Sequence, residues 1–292
     1  MREFAYERPD SIASAVQLMQ KPDARPLAGG TDLIPQMREG RRTAGLVIDL
    51  KGVGELTAIE DLPDGGLAIG AAASASAIAR HARVLADYPA IASSVRLIGS
   101  VQVQSRASLG GNICNAAPSA DGVPALICYR ARARIAGPEG TREVEIEDVF
   151  AGPGRTTLKP GELLAAIVLP PPQPRSAAHY HRFTPRREMD IAVAGAGTWI
   201  SLDEQGRISD ARIALASVAP TPLRAQAAKK RLIGEAPSRA LLEEAGRLAS
   251  ADVRPISDTR GSADYRRTLV SVLTARALAV CCRSLGVEVD VP

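Results

Sequence analysis

The sequence predicts an α+β protein built in two parts, and three observations carry that prediction. Up to residue 170, stretches with the 3.6-residue helical period are interspersed with short apolar runs of strand character. A proline cluster, PPPQP at 170–174, then marks the expected boundary between residues 1–174 and 175–292. Beyond it, three strand-like runs follow one another with no helix between them. That order reads as an antiparallel meander, and three helical stretches come after it.

Element by element, SIASAVQLMQ (11–20) places Ile12, Val16 and Met19 on one helical face, with Asp10 or Ser11 as its cap. GLVIDLKGV (45–53) is a strand. LAIGAAASASAIARHARV (67–84) is a strand passing into a helix, with Ser74 or Ser76 as the cap. DYPAIASSVRLI (87–98) is helical, and Pro89 is tolerated in its first turn. RARARIAG (130–137) and EVEIEDVF (143–150) alternate as strands do, and GELLAAIVLP (161–170) is a further strand. In the second part AHYHRFTP, IAVAGAGTWISL and ARIALASVAP form a three-stranded sheet. Helices are expected at 223–233, 238–250 and 262–285, the last with Tyr265, Leu269, Val272 or Leu273, and Val280 on one face.

Composition narrows the function classes. At 292 residues and 46% hydrophobic, the chain can bury a core without disulfide or metal staples. Only 3% of residues are aromatic, which weakens any case for base stacking on nucleic acid. The 36 basic and 32 acidic residues leave a net charge of +4 with no long single-sign run, so polyanion binding is not implied. The four cysteines form no CxxC pair and no zinc spacing; Cys281–Cys282, in an apolar helical run, read as buried thiols. MREFAYERPD lacks the apolar segment of a signal peptide, and no stretch approaches the length of a membrane span. A reducing, cytoplasmic location is expected.

Two runs carry the chemistry, PLAGGTDLIPQM (26–37) and ASLGGNICNAAPSAD (107–121). Glycine allows φ > 0 and lets the backbone approach a ligand closely. Successive amides can then converge on an anion, with Thr31, Asp32 and Asn112 able to fix the loop or bond the ligand. Either glycine pair alone reads first as a tight turn.

Taken together, LAGGTDLIPQM and ASLGGNICNAAPSADGVPAL resemble the flavoprotein subunit of the molybdenum hydroxylases, the xanthine dehydrogenase and carbon monoxide dehydrogenase family. FAYERPDSIASAVQLM, RREMDIAVAGAG and GSADYRRTLVSVLTARAL extend the likeness nearly end to end. The resemblance implies a two-lobed FAD-binding domain of the molybdopterin dehydrogenase type, followed by a smaller α+β domain. It implies that Leu27, Ala28, Gly29, Gly30, Thr31, Asp32 and Leu33 wrap the FAD pyrophosphate, and that Ser108, Gly110, Gly111 and Asn112 form a second cradle. Asp121 would accept from a ribityl or ribose hydroxyl, although it equally suits a helix cap before Pro124. Leu164 would pack near the FAD rings, Arg182 matches a position usually basic in relatives, and Ile191 would lie against the flavin face. On the residues alone, Leu164 and Ile191 also suit strand interiors, and Arg182 a surface.

The same resemblance implies a medium subunit that passes electrons between the [2Fe–2S] clusters of a small subunit and an external carrier. A molybdopterin large subunit would act on substrate, in a dimer of heterotrimers. Four cysteines cannot ligate two such clusters, so the iron–sulfur centres belong to a partner. No catalytic side chain is expected here. The alternative is a stand-alone FAD oxidoreductase of the same superfold. GAGTWI (195–200) lacks the third glycine of a dinucleotide fingerprint, and His179-x-His181 lacks a third metal ligand. Arg130, Arg132 and Arg134 share one strand face, read as solvated by default or as a dock for an acidic partner. Arg186, Arg187 and Asp190 read as a structural charge network.

Overall fold

A computed structural model describes residues 1–291. Strands Ala5–Glu7, Leu46–Asp49 and Ala24–Leu27 lie side by side in that order as a small parallel sheet. Parallel neighbours need a crossover. Helix Ile12–Met19 supplies the first, and Ser11 and Ser14 close a reciprocal capping box at its start.

The second lobe is a five-stranded antiparallel sheet. Its order is Ile59–Asp61, Leu67–Gly70, Leu163–Leu169, Arg132–Gly137, Gly140–Glu145. Short helices cover one side of it, and the largest core cluster, which includes Ile69, Ile91, Leu109, Leu126 and Ile167, fills the space between. Ser74, not Ser76, caps helix Ala75–Ile78, and Pro89 opens helix Pro89–Val95.

Strands Ser176–Phe183, Ala194–Leu202 and Ile208–Ala216 form the expected meander, joined by a two-residue fourth strand, Leu223–Arg224. The following helix therefore starts at Gln226. One face of this sheet packs on helices Gln226–Leu232 and Ala263–Ser284 through residues such as Ala196, Ile200, Ile213 and Leu215, and helix Arg239–Ala251 packs in turn on those two helices. The alternate residues Trp199 and Ala214 belong to the second lobe's core, where helix Gly122–Cys128 sits against them. Strand periodicity thus sends one strand's side chains into two cores.

Three expectations change. EVEIEDVF is not one strand: pairing stops at Glu145, a 3₁₀ turn spans Ile146–Val149, and a short strand begins at Phe150. The glycine-bearing run after Ala107 contains a helix, Leu109–Cys114. On the long final helix Leu273, not Val272, lies on the buried face, Tyr265 is exposed, and Val270 and Leu278 are buried as well. That helix packs against both the sheet and a neighbouring helix, so its apolar stripe is wider than one heptad-like row.

Candidate cofactor-binding site

The first glycine run leaves strand Ala24–Leu27 and enters helix Leu33–Arg38. Gly30 sits at φ +74°, and a Cβ there would lie 3.0 Å from Leu27 Cδ1 and 3.1 Å from Ile34 Cγ1. Gly29 is needed for a different reason. A Cβ on it would overlap the Arg106 carbonyl and lie 2.8 Å from Ala107 Cα. The first run therefore presses directly on the backbone that leads into the second.

In the second run Ser108 caps helix Leu109–Cys114, its hydroxyl accepting the Gly111 N–H at 3.0 Å. Gly110 and Gly111 are helical, so the left-handed conformation expected of both pairs is confined to Gly30. Gly110 is glycine because a Cβ would stand 2.6 Å from Ala71 Cβ and 2.7 Å from Ala71 Cα. A Cβ on Gly111 meets only Ser108 Oγ, at 3.1 Å.

Between the two runs and strand Leu163–Leu169 lies a cleft of about 740 Å³, a size suited to a small-molecule ligand. Leu27 to Leu33, Ser108, Gly110, Gly111, Asn112 and Leu164 all line it. Two residues that sequence reasoning passed over tie the runs together. Gln36 Nε2 donates to Asn115 Oδ1 at 3.2 Å, and Asn115 Nδ2 donates to Asp32 Oδ1 at 3.3 Å. The three-residue spacing of Asn112 and Asn115 within the quoted run is the signal that could have found the second. Lys21, Arg25, Arg42 and Lys159 contribute positive charge to the lining, against Asp32 and Glu162. Glu162 is neutralised by a two-pronged pair with Arg142, and burial raises Asp32 above the usual carboxylate range. The wall is thus basic and poor in side chains at its centre, as a diphosphate requires. The side-chain oxygen of Asn112 is buried beside Gly122 without a hydrogen-bond partner.

Asp121, Arg182 and Ile191 do not line this cleft. Asp121, 7% exposed, precedes helix Gly122–Cys128 without capping it. Its carboxylate instead accepts from Tyr180 Oη at 2.8 Å and forms a buried ion pair with Arg182. Burial pushes this carboxyl up to about 6, against the pull of Arg182 and Tyr180. Arg182 lines a second hollow of about 350 Å³ with Arg80, Arg96 and Arg187. The stretch Leu97–Val101 separates the two spaces: Ile98 faces the cleft, Leu97 and Gly99 the hollow. Ile191 is 47% exposed, in the connection between strands Ser176–Phe183 and Ala194–Leu202.

The remaining motifs resolve structurally. Arg132 and Arg134 pair with Glu143 on the adjacent strand, and Arg130 reaches Asp210. Arg186 pairs with Asp190, whose carboxylate also accepts the Arg186 and Ile191 amides. The His179 and His181 rings lie 5.8 Å apart, and burial pushes His179 down to about 4. Among the described residues no group of three metal-ligating side chains occurs. Cys128, Cys281 and Cys282 are buried free thiols.

Comparison with known proteins shows the chain's family and fold. Residues 2–172 match the family model "FAD binding domain in molybdopterin dehydrogenase", and residues 163–280 match "CO dehydrogenase flavoprotein C-terminal domain". The chain is 38% identical to the carbon monoxide dehydrogenase medium chain of Afipia carboxidovorans over 278 residues, covering 94% of this chain and 95% of that one. It is 32% identical to the xanthine dehydrogenase FAD-binding subunit of Escherichia coli O157:H7 over 291 residues, covering 98% and 99%. Among solved structures, reconstituted CO dehydrogenase from Oligotropha carboxidovorans superposes with a TM-score of 0.90 at 36% identity, covering 95% and 96%. Quinoline 2-oxidoreductase from Pseudomonas putida 86 superposes with a TM-score of 0.91 at 27% identity, covering 97% and 98%.

Proposed function

The chain belongs to the FAD-binding medium subunits of the molybdenum hydroxylase family, and from that premise we propose that it carries electrons between an iron–sulfur partner and an external carrier. The observation that carries this reading is the cleft where both glycine runs meet, since the contact of Gly29 with Arg106 and Ala107 holds two main-chain segments against one space. Leu27 to Leu33 hold the diphosphate through main-chain donors, and Ser108, Gly110, Gly111 and Asn112 form the facing wall. Leu164 packs on a ring. The cofactor then extends past Ile98 toward the second hollow, where Arg182, fixed by Asp121, and Ile191 serve its flavin end. When bound, FAD supplies both one-electron and two-electron chemistry. The chain's own residues bind, orient and exclude water.

In this reading residues 1–174 form the FAD-binding unit and 175–292 the smaller unit. A small subunit holds the [2Fe–2S] clusters and a large subunit holds molybdopterin, assembled as a dimer of heterotrimers in the cytoplasm. Among the described residues no helix is long and apolar enough to cross a membrane. The stand-alone oxidoreductase is the weaker alternative, because the similar proteins are themselves named medium chain and FAD-binding subunit.

Purification of the tagged chain from its native cells tests both levels. FAD released on denaturation, with iron–sulfur and molybdopterin proteins copurifying, is the expected result. A colourless chain that takes up no added FAD refutes the cofactor assignment; a yellow chain that purifies alone refutes the partners.

A further inference from the structure

The two glycines of GAGTWI lie inside strand Ala194–Leu202, and the fold depends on both. Tyr180 and Arg182 project from the same face of strand Ser176–Phe183, two residues apart. On the adjacent strand their register partners are Gly197 and Gly195, respectively. A Cβ on Gly195 would overlap the Tyr180 hydroxyl and lie 3.0 Å from its Cζ, while one on Gly197 would lie 2.9 Å from the Pro124 carbonyl carbon. Gly195 therefore leaves the space that the end of the Tyr180 ring occupies, and Gly197 lets helix Gly122–Cys128 sit directly on the sheet. In that space the Tyr180 hydroxyl reaches Asp121.

The result is a buried chain of three polar groups. Tyr180 Oη donates to Asp121 Oδ1, and Oδ2 receives Arg182 Nη1. A guanidinium has five N–H donors in a fixed plane. Arg182 side-chain exposure is only 5%, yet none of its nitrogens is among the buried atoms without a partner. Its unspent donors open on the second hollow, whose wall it forms. An Asp121 held by Arg182 alone could rotate about its terminal torsion and carry the guanidinium with it; a second hydrogen bond removes that freedom.

We propose that Tyr180 is a positioning residue for the cofactor: by fixing Asp121 it holds the Arg182 guanidinium at the hollow's wall, where that charge supports the electron-rich end of the flavin. This rests on the placement of FAD given above. A fixed positive charge there strengthens FAD binding and raises its reduction potential, because it favours the more negative, reduced form.

A double-mutant cycle on the purified full chain tests this, with FAD affinity, the potential of the bound flavin and the melting temperature of the apoprotein as readouts. Tyr180→Phe should weaken FAD binding roughly tenfold, the effect of one hydrogen bond to a charged group, and shift the potential to a more negative value. In an Arg182→Gln background the same substitution should change neither, because Tyr180 acts through Arg182. Additive losses in the double variant, or a loss that follows only the fall in apoprotein melting temperature, mean a structural role and overturn the proposal. So do unchanged affinity and potential in Tyr180→Phe. Failure of the wild-type chain to bind FAD overturns the cofactor placement as well, which separates the two.

Discussion

The two glycine pairs look alike as letters and differ as physical objects. At 29–30 the chain makes an irregular turn, and the two glycines divide the work between close backbone contact at Gly29 and a left-handed φ at Gly30. At 110–111 the chain is already helical, and only the first glycine is sterically required, where the turn presses on Ala71. A Gly-Gly dipeptide thus does not specify one conformation. What the pairs share is the absence of side chains where three backbone segments converge on one cleft.

Substitutions can break this comparison. The largest effect is expected for Gly29→Ala and Gly110→Ala, since each Cβ meets backbone that cannot swing aside. Overpacking of that kind costs about 3 kcal/mol or more, measurable as a lowered urea midpoint together with lost FAD; wild-type midpoints in both would disprove the close-contact reading. Gly30→Val comes next. It combines a left-handed backbone with crowding by Leu27 and Ile34, and FAD retention should be abolished even where the chain still folds. Equal flavin content in variant and wild type would remove Gly30 from the cradle.

Asn115→Ala sharpens the comparison rather than breaking it. It deletes the side chain that bonds to both Asp32 and Gln36. A partly exposed bridge of this kind, one arm of it to a carboxylate, is worth about 1–2 kcal/mol, so FAD affinity measured by fluorescence quenching should fall several-fold with little change in melting temperature. The smallest effect is expected at Gly111→Ala. Its Cβ meets only the cap hydroxyl, and alanine favours helix by up to about 1 kcal/mol. Apoprotein stability should stay within that margin of wild type; a collapse like that of Gly110→Ala would show that the two positions are not distinct.

Much of the architecture was legible because it is written locally. Ser11 and Ser74 cap the helices they precede, Pro89 occupies a first turn, and alternation marks the strands from Ser176 to Ala216. The helix at Leu109–Cys114 escaped notice because two glycines lower its intrinsic propensity, and tertiary packing on Ala71 overrides that cost. On the last helix the expected face holds at Leu273 and fails at Tyr265, since hydrophobic period alone does not say that two neighbours share the burial. The pairing of Asp121 with Tyr180 and Arg182 was invisible for a simpler reason: the partners lie 59 and 61 residues apart.

By itself the sequence determined the α+β class, the order of its elements and the two side-chain-poor runs, because caps, turns and alternation act over a few neighbouring residues. Only the tertiary structure decided which glycines are indispensable and why. It also decided that Asn115 joins the two runs and that Tyr180 reaches Asp121 in space left by Gly195. Those outcomes depend on distances between segments far apart in the chain, and no local preference encodes such a distance.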